Sequence, residues 1–194
     1  MRYIDEGSLV DIALGAAILG TGGGGDPQLG RLIARNAIRE FGPVPVISVD
    51  ELPDEAFVVP VSMMGAPSVA NEKLPSMHQL GGIVRALTHT LGREATHTIA
   101  AEIGGIAALL PIAAAAELGI PLLDADMMGR AFPELPMLVP SLHGVPAGPM
   151  SMGDEWGNTV VLDGVDNAHT ERLDRTLCVE MGASALMALY TMEG

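Results

Sequence analysis

The sequence predicts an α/β protein: a mixed, partly parallel sheet flanked by helices, in a single domain. Segments of helical periodicity alternate with short apolar runs of strand length, and mixed order of this kind brings parallel strands together. The chain has 194 residues, 48% apolar and 18% charged, enough to bury a sizeable core and too apolar for a disordered tail. Glycine and proline fall mostly between the runs, where they punctuate them.

The elements follow in order. Asp5 or Ser8 can cap a helix over about Leu9 to Leu19, with Ile12, Ala16 and Leu19 on one face. After the run Gly20 to Gly25, Asp26 is a suitable N-cap and Pro27 a suitable first residue for a helix to about Glu40. There Leu29, Ile33 and Ala37 point inward and Arg31, Arg35 and Arg39 outward. Gly42 and Pro43 end it. Val44 to Val49 and Phe57 to Met63 read as strands joined by an acidic turn. The stretch Ser68 to Ser76 reads as polar, and a helix follows from about His78 to Leu91. Thr96 to Ala101 reads as a strand ending at Glu102. Gly104-Gly105 then opens a helix over about Ile106 to Leu118, closed by Gly119 and Pro121. Leu122 and Leu123 form a short strand before a charged turn. Residues 133–157 are loop-like, Thr159 to Leu162 is a strand, and Asp166 or Asn167 caps a last helix to about Tyr190.

Composition removes several function classes. The net charge is −14, with one lysine, which argues against a nucleic-acid or anionic-membrane surface. A lone cysteine, Cys178, excludes an intrachain disulfide and a multi-cysteine zinc site, and its helical setting suits an inert core thiol better than a nucleophile. The N-terminus MRYIDEGSL has no apolar signal region, and the richest apolar run, Ile106 to Ala116, is too short to span a bilayer. These features read as a soluble, cytoplasmic protein.

The chain is organised around Glu102 to Glu134, where charged side chains crowd the end of a buried strand. The crevice outside strand carboxyl ends is where open α/β sheets bind ligands. Asp124 and Asp126 sit two apart and face one side if the strand continues through them. Two such carboxylates disfavour joint ionisation unless a cation lies between them, and Arg130 or a divalent metal can serve. One of them can then act as a general base. An Asp-capped turn with Arg130 as its ion-pair partner is the alternative. Glu102 is a further strand-end carboxylate, and Asn71, Glu72 and Lys73 form a polar cluster after another strand.

Gly20, Gly22 and Gly25 satisfy G-x-G-x-x-G, but that fingerprint needs a preceding strand and a helix is predicted there, so a nicotinamide cofactor is not expected. Successive glycine N–H groups can instead form a nest for an anion or carbonyl oxygen, or the run can be a tight corner needing positive φ. The five histidines lack metal-ligand spacing, and no G-x-S-x-G elbow occurs.

The runs LGTGGGGDP at 19–27, GIPLLDADMMGRAFPEL at 119–135 and SVANEKL at 68–74, with ER-x-x-R at 171–175, resemble the DUF917 family, the S-methyl-thiohydantoin desulfurase-like proteins. The resemblance spans nearly the whole chain. It implies action on a five-membered cyclic ureide or thioureide, the best-defined reaction being hydrolytic desulfuration of a thiohydantoin. Family members carry a β-rich C-terminal domain, so residues 1–194 are expected to correspond to the N-terminal domain alone. A homo-oligomer, or a complex with a second subunit of hydantoinase/oxoprolinase type in which this chain is regulatory, is also expected. In the reading the resemblance prompts, Asp124 or Asp126 activates water and Arg130 or the Gly22–Gly25 amides receive the developing charge. Glu102 then holds a ring N–H, and Thr21, Gly22, Gly23, Gly24, Gly25, Asn71, Glu72 and Glu134 contact substrate.

Overall fold

The computed structural model describes every residue except Met1, Gly22 and residues 74–76, together with the side chains of all described residues but Pro67 and Met77. It is the predicted α/β architecture, with a nine-stranded mixed sheet at its centre. The strands are β1 (Arg2–Ile4), β2 (Val44–Ile47), β3 (Phe57–Gly65), β4 (His97–Ala100), β5 (Leu122–Asp126), β6 (Met150–Gly153), β7 (Thr159–Leu162), β8 (Ser184–Ala188) and β9 (Met192–Glu193). Their order is β1-β2-β5-β4-β3-β8-β6-β7, with β9 added beside β3. The central four, β2, β5, β4 and β3, are parallel, and the flanking strands are antiparallel.

Helices α1 (Ser8–Leu19), α2 (Pro27–Phe41), α4 (Met77–Leu91) and α5 (Leu110–Leu118) cover one face of the sheet. The short α3 (Pro67–Glu72) and α6 (Val139–Leu142), with α7 (Asn167–Glu180), complete the α-helices among the described residues. Two cores result because side chains alternate along each strand. Phe57, Val59, Val61 and Leu122 face the four-helix layer, whereas Val58, Ile99 and Leu123 face α7 and the 127–147 segment. Two predicted N-caps are present, Asp26 accepting from Gln28 N at 2.8 Å and Asp166 from His169 N at 2.7 Å; at α1 the N-cap is Gly7 and not Asp5 or Ser8, although the Asp5 carboxylate accepts from Ser8 N at 2.9 Å. Gly119 closes α5 in the left-handed conformation, φ +68°.

The last helix is shorter than the sequence predicts. It stops at Glu180, not Tyr190; Gly182 and Ala183 then take positive φ, and Ser184–Ala188 becomes β8, buried throughout between β3 and β6. The run SALMA has good helix formers, and sheet pairing overrides that preference. Three other corrections have the same origin in long-range pairing and packing. The supposed loop 133–157 contains α6 and the buried β6, the polar 68–76 stretch begins within α3, and β5 continues through Asp124 to Asp126. A short β1 also pairs with β2 ahead of the first helix.

Candidate functional site

Three neighbouring parallel strands, β3, β4 and β5, end at one edge of the sheet, and a cleft of about 700 Å³ opens there. That is the size and place expected of a small-ligand site in an open α/β sheet. Its floor includes Ser62 to Ala66 after β3, Ala101 and Glu102 after β4, and Met128 after β5. Gly23–Gly25 form one wall. Segment 131–135 and the end of α7, with Arg175 and Cys178, form another.

The glycine run is first a clasp. Gly24 (φ +80°) accepts a hydrogen bond from Ile106 N at 2.7 Å, and a Cβ on Gly24 would lie 2.7 Å from the Gly104 carbonyl oxygen. A Cβ on Gly20 would lie 2.7 Å from Gly105 N. A Cβ on Gly105 (φ +64°) would collide with the Gly24 carbonyl. Two glycine pairs therefore let two backbones touch, and that contact sets the glycine loop beside Glu102. Helix α1, not a strand, leads into the run, which leaves the dinucleotide fingerprint without its context.

Glu102 is 9% exposed, and burial pushes its carboxyl up to about 7, opposed only by the Phe132 N–H that donates to it. A carboxyl poised near neutrality in a cleft suits proton transfer. Beside it, segment 131–138 is strapped to α7: Glu171 accepts from Leu135 N at 2.8 Å, and Arg175 joins both Glu171 and the Pro133 carbonyl. Tyr190 supports the same segment, its hydroxyl donating to the Leu135 carbonyl at 2.8 Å and lying 2.6 Å from the Ser141 hydroxyl. The cleft wall is thus held in shape by buried polar contacts.

The expected Asp124–Asp126–Arg130 constellation is not assembled. Asp124 is exposed and pairs with Arg2 at 2.9 Å, because β1 brings Arg2 alongside. The Asp126 carboxylate accepts from the N–H groups of Met128, at 2.9 Å, and Gly129, which turns the chain at the end of β5. Arg130 donates to the Thr21 carbonyl at 3.1 Å, and the Thr21 hydroxyl donates back to Ile18. Asp124, Asp126, Arg130 and Thr21 do not line the cleft, nor do Asn71 and Glu72 at the exposed end of α3. Glu102, Gly23, Gly24, Gly25 and Glu134 do line it, and Gly22 lies outside the described residues. Among the described residues no group of three or more His, Cys, Asp or Glu side chains is placed to hold a metal ion. The Arg2–Asp124 pair is solvated on both sides, so Asp124→Asn should change stability by at most about 1 kcal/mol. Thermal melts of the variant check this.

Sequence reasoning missed Ser62 and Asp174, met Arg175 only within the 171–175 run, and read Cys178 as a core thiol, which is buried as expected. The signal for Asp174 was present in α7: Glu171, Asp174 and Cys178 recur at helical spacing on a buried face, an unusual place for two carboxylates. Asp174 is 0% exposed, and burial, then the Glu171 charge, raise it to about 7 against the opposing N–H and guanidinium of Arg175.

The fold and cleft define an α/β domain with a ligand-sized site at the carboxyl ends of parallel strands. The model of the S-Me-THD-like N-terminal domain matches residues 7–164. This chain belongs to the S-Me-THD-like family, within that family's N-terminal domain. It is also similar to a protein from Chromobacterium violaceum solved by X-ray crystallography, with 28% identity and a TM-score of 0.81. That match covers 100% of this chain and 55% of the other, so the chain spans about half the length of that protein. No curated protein matches. Among the described residues no helix is long and apolar enough to cross a membrane.

Proposed function

We propose that this chain is a hydrolase domain acting on a hydantoin-like ring, removing the sulfur substituent of a thiohydantoin by water. The observation that carries the reading is Glu102, a buried carboxyl held near 7 in the floor of a cleft built on three strand ends. Water must be activated at the ring carbon bearing sulfur, and Glu102 is the general base. The amides of Gly24 and Gly25, in the loop that lines the same cleft, are the donors for the charge that develops on the ring. Met63, Met64, Met128 and Met187 give the lining a polarisable character suited to sulfur. Family membership supports the ring class.

A second reading, a subunit that completes a partner, draws on α1, whose Val10, Leu14 and Ile18 stand 55%, 64% and 69% exposed in one row. The two readings separate on one experiment: the purified chain is incubated with an S-methyl thiohydantoin and thiol release is followed. Release by the chain alone supports the hydrolase. No release, with association of a second subunit on sedimentation, replaces it.

A further inference from the structure

We infer that Ser62 is the specificity-determining residue of the cleft, its hydroxyl donating to the carbonyl oxygen of the bound hydantoin-like ring. The inference rests on the ring reading above and deepens it by assigning the group that reads the ring. Ser62 lies in β3, 5% exposed, on the cleft floor. Its hydroxyl makes no hydrogen bond among the described residues, yet it is not sealed off, and the little surface it keeps opens into the cleft. Buried hydroxyls are ordinarily paired within the protein, because desolvating one without a partner is costly. The neighbours explain why this one is not. Val59 and Val61 face the four-helix layer and Val58 the opposite side, so alternation turns Ser62 toward α7 and the cleft. There it pairs with Met187 of β8 and stands one residue beyond the Val61–Ala100 pair, beside Ala101. Methyl and thioether side chains give it no strong partner.

Three other polar side chains of the cleft are already engaged. Glu102 accepts from the Phe132 N–H, Arg175 holds Glu171 and the Pro133 carbonyl, and the Cys178 thiol donates to the Met64 carbonyl at 3.7 Å. Glu134 is exposed. Among the described residues Ser62 is thus the buried polar side chain of the cleft left for a ligand. Its strand neighbours the one that ends at Glu102, and adjacent strands lie about 4.8 Å apart. A five-membered ring bridges that gap with the carbon bearing sulfur toward Glu102 and the carbonyl, across the intervening ring nitrogen, toward Ser62. A single hydroxyl in an apolar floor discriminates by what it leaves unpaired, and a ring without that carbonyl offers it no acceptor. The cleft therefore takes hydantoins and thiohydantoins in preference to cyclic ureas and isothioureas that lack the second carbonyl.

Equilibrium titration of the purified chain with two neutral rings, hydantoin and imidazolidin-2-one, tests the contact; the second is the first without its other carbonyl. Wild type should bind hydantoin about 10- to 100-fold more tightly. In Ser62→Ala, hydantoin should weaken about tenfold and imidazolidin-2-one should stay within about twofold. The melting temperature should not fall, because the lost hydroxyl bonds to nothing in the fold. Equal weakening of both rings overturns the carbonyl contact, and so does an unchanged affinity for hydantoin. A lower melting temperature overturns it too, since the hydroxyl would then serve the fold. In each of these cases hydantoin binding by the wild type leaves the ring reading standing. Binding of neither ring by the wild type overturns both.

Discussion

Glu102→Gln should lower thiol release from an S-methyl thiohydantoin by about 100- to 10,000-fold and at the same time make the protein more stable at alkaline pH. Both effects come from one buried carboxyl. The ionised form is the base, so wild-type release should rise with pH through a midpoint near 7. The glutamine variant should show no such rise. Stability runs the other way. The folded state holds the Glu102 proton up to about 7, whereas the unfolded chain releases it near the ordinary 4.5. Between those values the folded state binds the extra proton, so stability falls as pH rises, and above about 7 the loss is complete. Glutamine has nothing to ionise. At pH 8.5 the variant should therefore melt higher, by about 3 kcal/mol or roughly 10 °C, and at pH 4.5 it should melt with the wild type. A variant that is inactive and also less stable at pH 8.5 would make Glu102 a structural residue.

Gly105→Ala should be among the most destabilising single changes available, about 3–5 kcal/mol. Two terms add. Alanine at φ +64° carries about 1–2 kcal/mol of left-handed strain, and its Cβ would drive the Gly24 carbonyl away. Gly119→Ala supplies the control: its φ is +68°, with nothing within 4 Å of the added carbon, so it should lose only the first term, about 1–2 kcal/mol. Denaturation midpoints of the two variants isolate the clasp. Equal losses would mean that the glycines serve their own backbone angles and not the meeting of two loops.

Much of the scaffold could be read from neighbours in the chain. Asp26-Pro27, Asp166 and Gly119 mark helix ends because a cap needs only a side chain or a conformation within one turn. Val44–Ile47 and Phe57–Gly65 announce themselves as apolar runs between breakers. For the site, the glycine run, Glu102 and Glu134 were visible as unusual chemistry at strand or helix ends, and all three reach the cleft. The acidic pair of β5 was equally visible and does not, because β1 supplies Arg2 to Asp124 from 122 residues away and Asp126 turns back onto the N–H groups of Met128 and Gly129.

By itself the sequence determined the α/β class, the main helices and parallel strands, and the glycine and carboxylate positions from which a site is made. These depend on periodicity, caps and turn chemistry, which act over a few residues. Tertiary structure alone decided that Ser184–Ala188 is a strand, that Asp124 answers to Arg2, and that Gly24 meets Gly105. It also decided that Glu102 and Cys178 are buried where they line one cleft. Pairing between distant strands and removal from water are properties of the assembled fold, and both the proton affinity of a carboxyl and the partner of a charge follow from them.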